Sequence, residues 1–170
     1  MPILVSDTSI LIDLERAQLL EAAFQLPFEF AVPDLLYERE LVGALGDQLV
    51  ALGLRIEALT PTELSQATVV KRQNALLSIP DTFAFVIAQS RQWTLLTGDR
   101  NLRSLAVAEA VDMHGVLWLF DQLADGNHAP LNRLHTGLST LFAHPRCRLP
   151  ENEVQLRLTR FGEQRHEGQD

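Results

Sequence analysis

The stretch SIPDTFAFVIAQSRQWTLLTGDRNL, residues 78–102, constrains the fold more than any other part of the chain. Ser78-Ile79-Pro80-Asp81 opens a helix: Ser is a favoured N-cap, Pro is tolerated in the first turn, and an acid follows the cap at capping-box spacing. Phe83, Phe85, Val86, Ile87 and Ala88 are unusually apolar for a surface helix, which predicts packing against a sheet. Trp93 to Thr97 reads as a strand, and Gly98-Asp99 turns the chain into a helix from Arg100 to about Ala110. In an open α/β sheet, ligands bind in the crevice at the carboxyl ends of the strands. Asp81 in a first helical turn and Asp99 just past a strand both arrive at that edge, and paired carboxylates there point to a cation site.

The rest of the chain supplies more of the same pattern. Ile3 to Ser6 predicts a strand buried on both faces, with Asp7 at its junction with a helix from about Thr8 to Ala23. Phe28 to Val32 predicts a second strand, and Pro33 starts a helix over roughly Asp34 to Leu45. That helix carries Glu38 and Glu40, which stand two apart and so cannot share a face; at most one turns into a site. A short helix over about Asp47 to Leu52, a strand over Leu54 to Leu59 and a helix capped by Thr60 and running to about Asn74 or Ala75 come next, the last with a Thr60/Glu63 capping box. Val116 to Phe120 reads as the last parallel strand, with Asp121 as the cap of the next element.

This order predicts an α/β three-layer sandwich with a central parallel sheet over residues 1–123. Leu131, Leu134, Leu138, Leu141 and Phe142 fall on one helix face, and Pro150 opens a further helix to about Phe161, ended by Gly162. Residues 124–162 thus form a C-terminal helical extension that packs on the same domain or builds an interface, and 163–170 reads as a disordered polar tail.

Each acid has a bland explanation alone. Asp7 and Asp99 are good N-caps, Asp81 belongs to a cap, and a helical glutamate is usually solvated. Together, Asp7, Glu38 or Glu40, Asp81 and Asp99 converge on one sheet edge, where like charges repel unless cations sit among them. Oxygen ligands select hard cations, Mg²⁺ or Mn²⁺. Such ions prepare a water for attack and stabilise the attacking and leaving oxygens of a phosphodiester.

Four segments, VSDTSILIDL (5–14), VPDLLYEREL (32–41), SIPDTFAFVIA (78–88) and LLTGDRNLRSLA (95–106), resemble the PIN-domain ribonucleases, and within them VapC-like toxins of toxin–antitoxin pairs. The resemblance implies metal-dependent endonucleolytic cleavage of RNA, a Mg²⁺ or Mn²⁺ cofactor, an antitoxin partner and a homodimer. By matching positions, Asp7, Asp81 and Asp99 are the implied metal-binding acids, with Ser9 and Thr97 as polar lining. The second segment departs from the family pattern: Arg39 stands where its glutamate is expected, flanked by Glu38 and Glu40. Glu38, beside Tyr37, is the favoured catalytic residue, and a small shift at the helix start selects Glu40 instead. HGVLWLFDQL and RLPENEV in the C-terminal region resemble a subgroup of bacterial PIN proteins.

Composition excludes several other classes. The formal net charge of −8 is wrong for a protein that holds nucleic acid by phosphate neutralisation alone, so ions or a local basic patch must supply positive charge. One cysteine, Cys147, excludes an intrachain disulfide and a Cys-based zinc site, and the five histidines show no ligand spacing. No apolar run approaches a membrane span and MPILVSDTS lacks a basic n-region, so a cytoplasmic protein is expected. A non-catalytic PIN-fold module that binds RNA or protein is the alternative function. A phosphotransfer receiver needs a lysine opposite its acids, and the single lysine, Lys71, lies on another helix; no P-loop sequence occurs.

Overall fold

The computed structural model describes residues 1–167, with side chains as far as Gly162. Its centre is β1 (Ile3–Ser6), whose Leu4, Val5 and Ser6 are all buried although alternate side chains leave opposite faces. Both faces of this strand are therefore covered, which is the environment a continuous apolar run requires. β2 (Glu29–Pro33), β3 (Arg55–Glu57), β4 (Thr94–Leu96) and β5 (Met113–His114) complete a five-stranded sheet in the order β3-β2-β1-β4-β5. Every pairing is parallel, with Val5 opposite Ala31 on one side and Leu95 on the other. The central parallel sheet and α/β architecture are those the sequence predicts.

The chain divides into two compact units. The first comprises Met1–Leu11 and Pro27–Val116 and contains the whole sheet. Its helices include α3 (Asp34–Leu36), α4 (Ala44–Leu52), α5 (Pro61–Gln73), α6 (Ile79–Arg91) and α7 (Arg100–Ala108). α6 packs directly on β1, β2 and β4, and Phe85, Val86, Ile87 and Ala88 are buried there with Val5 and Leu95. That contact explains why this helix is apolar beyond a single stripe. Thr60 and Glu63 form the predicted reciprocal cap of α5, and Ser78 caps α6.

The second unit comprises Ile12–Leu26 and the chain from Leu117 on. α1 (Thr8–Arg16) crosses into it from the first unit, and the helix expected to reach Ala23 is broken. Gln18 takes a left-handed φ of 56°, and the chain restarts as α2 (Leu20–Phe24). α9 (Leu131–Ala143) and α10 (Glu151–Glu167) pack on each other. α10 continues past Gly162, where a stop was expected, and residues 168–170 of the expected disordered tail lie outside the described residues.

One expected strand is corrected. Val116 to Phe120 is not a strand but the start of α8 (Val116–Asp125), which also takes in Asp121. Val116, Leu119, Phe120 and Leu123 are all buried, a spacing of i, i+3, i+4 and i+7 that the short run VLWLF concealed. The fifth strand is the two-residue β5 just upstream, and Gly115 separates the two elements. Asp121 is no cap; its carboxylate accepts two hydrogen bonds from Arg157, at 2.8 and 3.0 Å.

Candidate active site

The carboxyl ends of β1 and β4 lie side by side, and the Asp7 N–H donates to the Leu96 carbonyl at 3.0 Å just beyond β1. Asp7 is 3% exposed. Its Oδ1 accepts from Ser9 Oγ at 2.8 Å and from the Ile10 N–H at 3.1 Å, the second being an N-cap bond. Its Oδ2 accepts from Thr97 Oγ1 at 2.5 Å. Burial raises the Asp7 carboxyl above its ordinary range and outweighs the opposing hydrogen bonds from Thr97, Ile10, Ser9 and Gly98.

Thr97 follows β4 and is fully buried. Its hydroxyl donates to Asp7 and accepts from the Asp99 N–H at 3.0 Å, so one side chain sets the spacing of two acids. Asp99 is the N-cap of α7, its Oδ1 accepting from the Leu102 N–H at 2.8 Å. Asp81 stands in the first turn of α6, where its N–H donates to Ser78 Oγ at 3.1 Å. Its carboxyl is pushed up to about 6, first by burial and next by the negative charge of Asp7. A hydrogen bond with Ser78 opposes the rise, and the charges of Asp99 and Glu40 add to it. Four acids from four segments thus share one electrostatic neighbourhood.

The glutamate in that neighbourhood is Glu40. Thr8 Oγ1 donates to its carboxylate, one residue from Asp7. Glu38, the residue favoured from sequence, is exposed, and among the described residues no contact ties it to the acids. The reason is a change of helix type. α3 has only its three residues before the backbone widens into a π-helical segment, Tyr37–Leu41, closed by the Val42 N–H donating to the Tyr37 carbonyl at 3.0 Å. A wider turn advances each residue by a smaller angle, so an α-helical projection of Glu38 and Glu40 misplaces both. α4 supports this segment closely: a Cβ on Gly46 would lie 2.3 Å from the Leu41 carbonyl oxygen and 2.9 Å from the Tyr37 hydroxyl.

The sequence-predicted residues Asp7, Asp81, Asp99, Ser9 and Thr97 and the alternate Glu40 therefore meet at one edge of the sheet, while Glu38 stays outside. Thr8 is the residue that sequence reasoning missed, and a hydroxyl next to a predicted site acid was the available signal. Among the described residues, no three His, Cys, Asp or Glu side chains form a ready-made cation cage. Asp7 and Asp99 are held by hydrogen bonds to their own helix starts. The donor chemistry nevertheless fits a hard divalent cation: all the candidate ligands are carboxylate or hydroxyl oxygens, and positive charge would offset the burial and the like charges that raise Asp81.

A family model described as a PIN domain matches residues 3–163 of the chain. The matched region includes all four acids and continues through α9 into α10, so the C-terminal helices lie within the family's extent. No curated protein matches the chain significantly.

Proposed function

Since the chain belongs to the PIN-domain family, whose members are generally nucleases, we propose that it is a metal-dependent endoribonuclease in which Asp7, Glu40, Asp81 and Asp99 hold Mg²⁺ or Mn²⁺. The observation that carries this reading is the approach of Asp7, Asp81 and Asp99 at the carboxyl ends of β1 and β4, with the Asp81 carboxyl raised first by burial and then by the charges of Asp7, Asp99 and Glu40. A bound divalent cation supplies Lewis acidity for attack of water on a phosphodiester.

The chain's own residues supply alignment. Ser9 and Thr97 clamp both oxygens of Asp7, which fixes the carboxylate plane without an added charge. Thr97 also ties the backbone of Asp99 to Asp7, so the two acids move together. Thr8 holds Glu40 against the start of α1. Exposure is graded, with Asp7 buried, Asp81 half-buried, and Glu40 and Asp99 exposed, which suits an approach of substrate from solvent. Arg100 and Arg103 are exposed in the opening turns of α7, directly after Asp99, and offer the local positive charge that an RNA backbone requires near so many carboxylates.

Incubation of a mixed RNA panel with purified protein in Mg²⁺, Mn²⁺ or EDTA tests the reading. Internal cleavage that requires a divalent ion and disappears in Asp81→Asn is expected. Binding of RNA without cleavage in either metal would replace it with the non-catalytic module. The toxin role is the finer part of the proposal: expression of the wild-type chain should arrest growth where Asp81→Asn does not.

A further inference from the structure

The second unit contains a cleft of about 200 Å³ that no part of the acid site uses. It lies between the end of α1, with the turn after it, and one side of α9. Arg16 and Gln18 line it from the first side, and Asn132, Arg133, Thr136 and Gly137 from the second. In a chain with a formal net charge of −8, this cleft has two arginines in its lining and no acid.

Neither arginine is held by a close carboxylate. Arg55, Arg91, Arg157 and Arg160 each make an ion pair at 3.0 Å or less. Arg16 pairs with Asp13 at the longer distance of 4.0 Å, and Arg133 makes no ion pair among the described residues. Instead Arg133 Nη2 donates to the Gln18 carbonyl at 2.8 Å. That one bond fixes the guanidinium at the cleft and leaves most of its five N–H donors for another acceptor. The bond depends on local backbone geometry, since Gln18 adopts its left-handed φ of 56° where it presents this carbonyl. Gly137 provides the close approach of α9, because a Cβ there would lie 2.9 Å from the Ala17 carbonyl oxygen.

The other polar groups define the ligand further. The Thr136 and Thr140 hydroxyls donate to the carbonyls of Asn132 and Thr136, so they are not donors to a ligand. Donation falls to Arg16, Arg133 and the amides of Gln18 and Asn132, at the start of a helix whose N-cap, Pro130, makes no side-chain cap. Two guanidiniums in a lining that holds no carboxylate suit an oxyanion that can take several donors at once.

We propose that this cleft is a phosphate-binding site, taking either a phosphate group of an RNA backbone or a free phosphate. The site does not depend on the acid cluster or on cleavage. The test is an amide-resonance titration of the full chain in EDTA, first with inorganic phosphate and separately with a short single-stranded RNA. Saturable shifts are expected at Gln18, Asn132, Arg133 and Gly137, and Arg16→Gln with Arg133→Gln should weaken binding by roughly tenfold or more while the protein still melts cooperatively. The single Arg16→Gln change, which leaves the Arg133 bond to Gln18 in place, should weaken binding by itself. Shifts with RNA assign the nucleic-acid backbone, and shifts with phosphate alone assign the free anion. No saturable shift at these amides with either probe, or equal binding by the double variant, would overturn the proposal.

Discussion

Asp81 gives the clearest handle at the scale of the residue. Its carboxyl stands at about 6 in the folded chain against an ordinary value of 3.8, so the folded state holds this proton more tightly than the unfolded one. Asp81 therefore costs the metal-free fold nothing below about pH 3.8, and the cost grows as pH rises through about 6. Metal-free Asp81→Asn should consequently melt above the wild type at pH 7, with the gap closing toward pH 4, as thermal scans across pH would read. The same substitution removes a proposed ligand, so stability and activity should move in opposite directions. Glu40 and Glu38 offer a second contrast. Glu40→Gln should lower cleavage by about tenfold or more, since it removes a charge from the proposed metal site, whereas Glu38→Gln should leave it near wild type. Initial rates on one RNA substrate compare them. This distinction was not legible from residue types. Proximity to Tyr37 favoured Glu38, and the Thr8 hydroxyl that bonds Glu40 instead lies thirty-two positions upstream.

Elements explain where sequence reasoning succeeded and where it failed. α6 was legible because its cap, its acid and its apolar face are local signals, all contained between Ser78 and Arg91. The segment Tyr37–Leu41 was not, because a π-helical turn depends on its neighbour in space. Gly46 belongs to that dependence. Gly46→Ala would put a methyl group within 2.3 Å of a backbone oxygen, so α4 or the π-helical segment must move. A loss of about 1–3 kcal/mol in urea unfolding is expected, together with reduced cleavage through displaced Glu40. β5 was misplaced for a related reason: five consecutive apolar residues carry too little periodicity to tell strand from helix.

Away from the acids, α5 and α6 are joined by a different electrostatic device. Glu63 is 4% exposed and receives the Arg91 guanidinium at 2.9 Å. Arg91 holds its carboxyl down at about 2, so the pairing is fully present above about pH 4.5 and is lost as pH falls toward 2. Arg91→Ala would leave the buried carboxylate with only the Thr60 N–H and the Ser90 hydroxyl as donors, at a cost of about 1–3 kcal/mol at neutral pH. Denaturant unfolding of the variant at pH 7 and pH 3 should show that cost shrinking with acid.

At the scale of the whole molecule, charge placement fits an acidic chain to the proposed polyanionic substrate. The net charge of −8 is spread over a fold that pairs Glu29, Glu57 and Glu63 with Arg55 and Arg91, and concentrates four other acids at one sheet edge. No helix among the described residues is long and apolar enough to cross a membrane. The parallel sheet was legible from the order of its elements, and the acid edge came with that topology. The cleft between α1 and α9 was not, since it depends on a helix break at Gln18 and on a glycine contact between distant segments.

The most direct test of the central claim is the rate of RNA cleavage measured across Mn²⁺ concentration for the wild type beside Asp81→Asn and Glu40→Gln. Saturable, Mn²⁺-dependent cleavage by the wild type is expected, with Asp81→Asn inactive and Glu40→Gln needing more Mn²⁺ or turning over more slowly. Cleavage that is independent of Mn²⁺, or unchanged in both variants, would contradict the assignment of this acid edge as the catalytic centre.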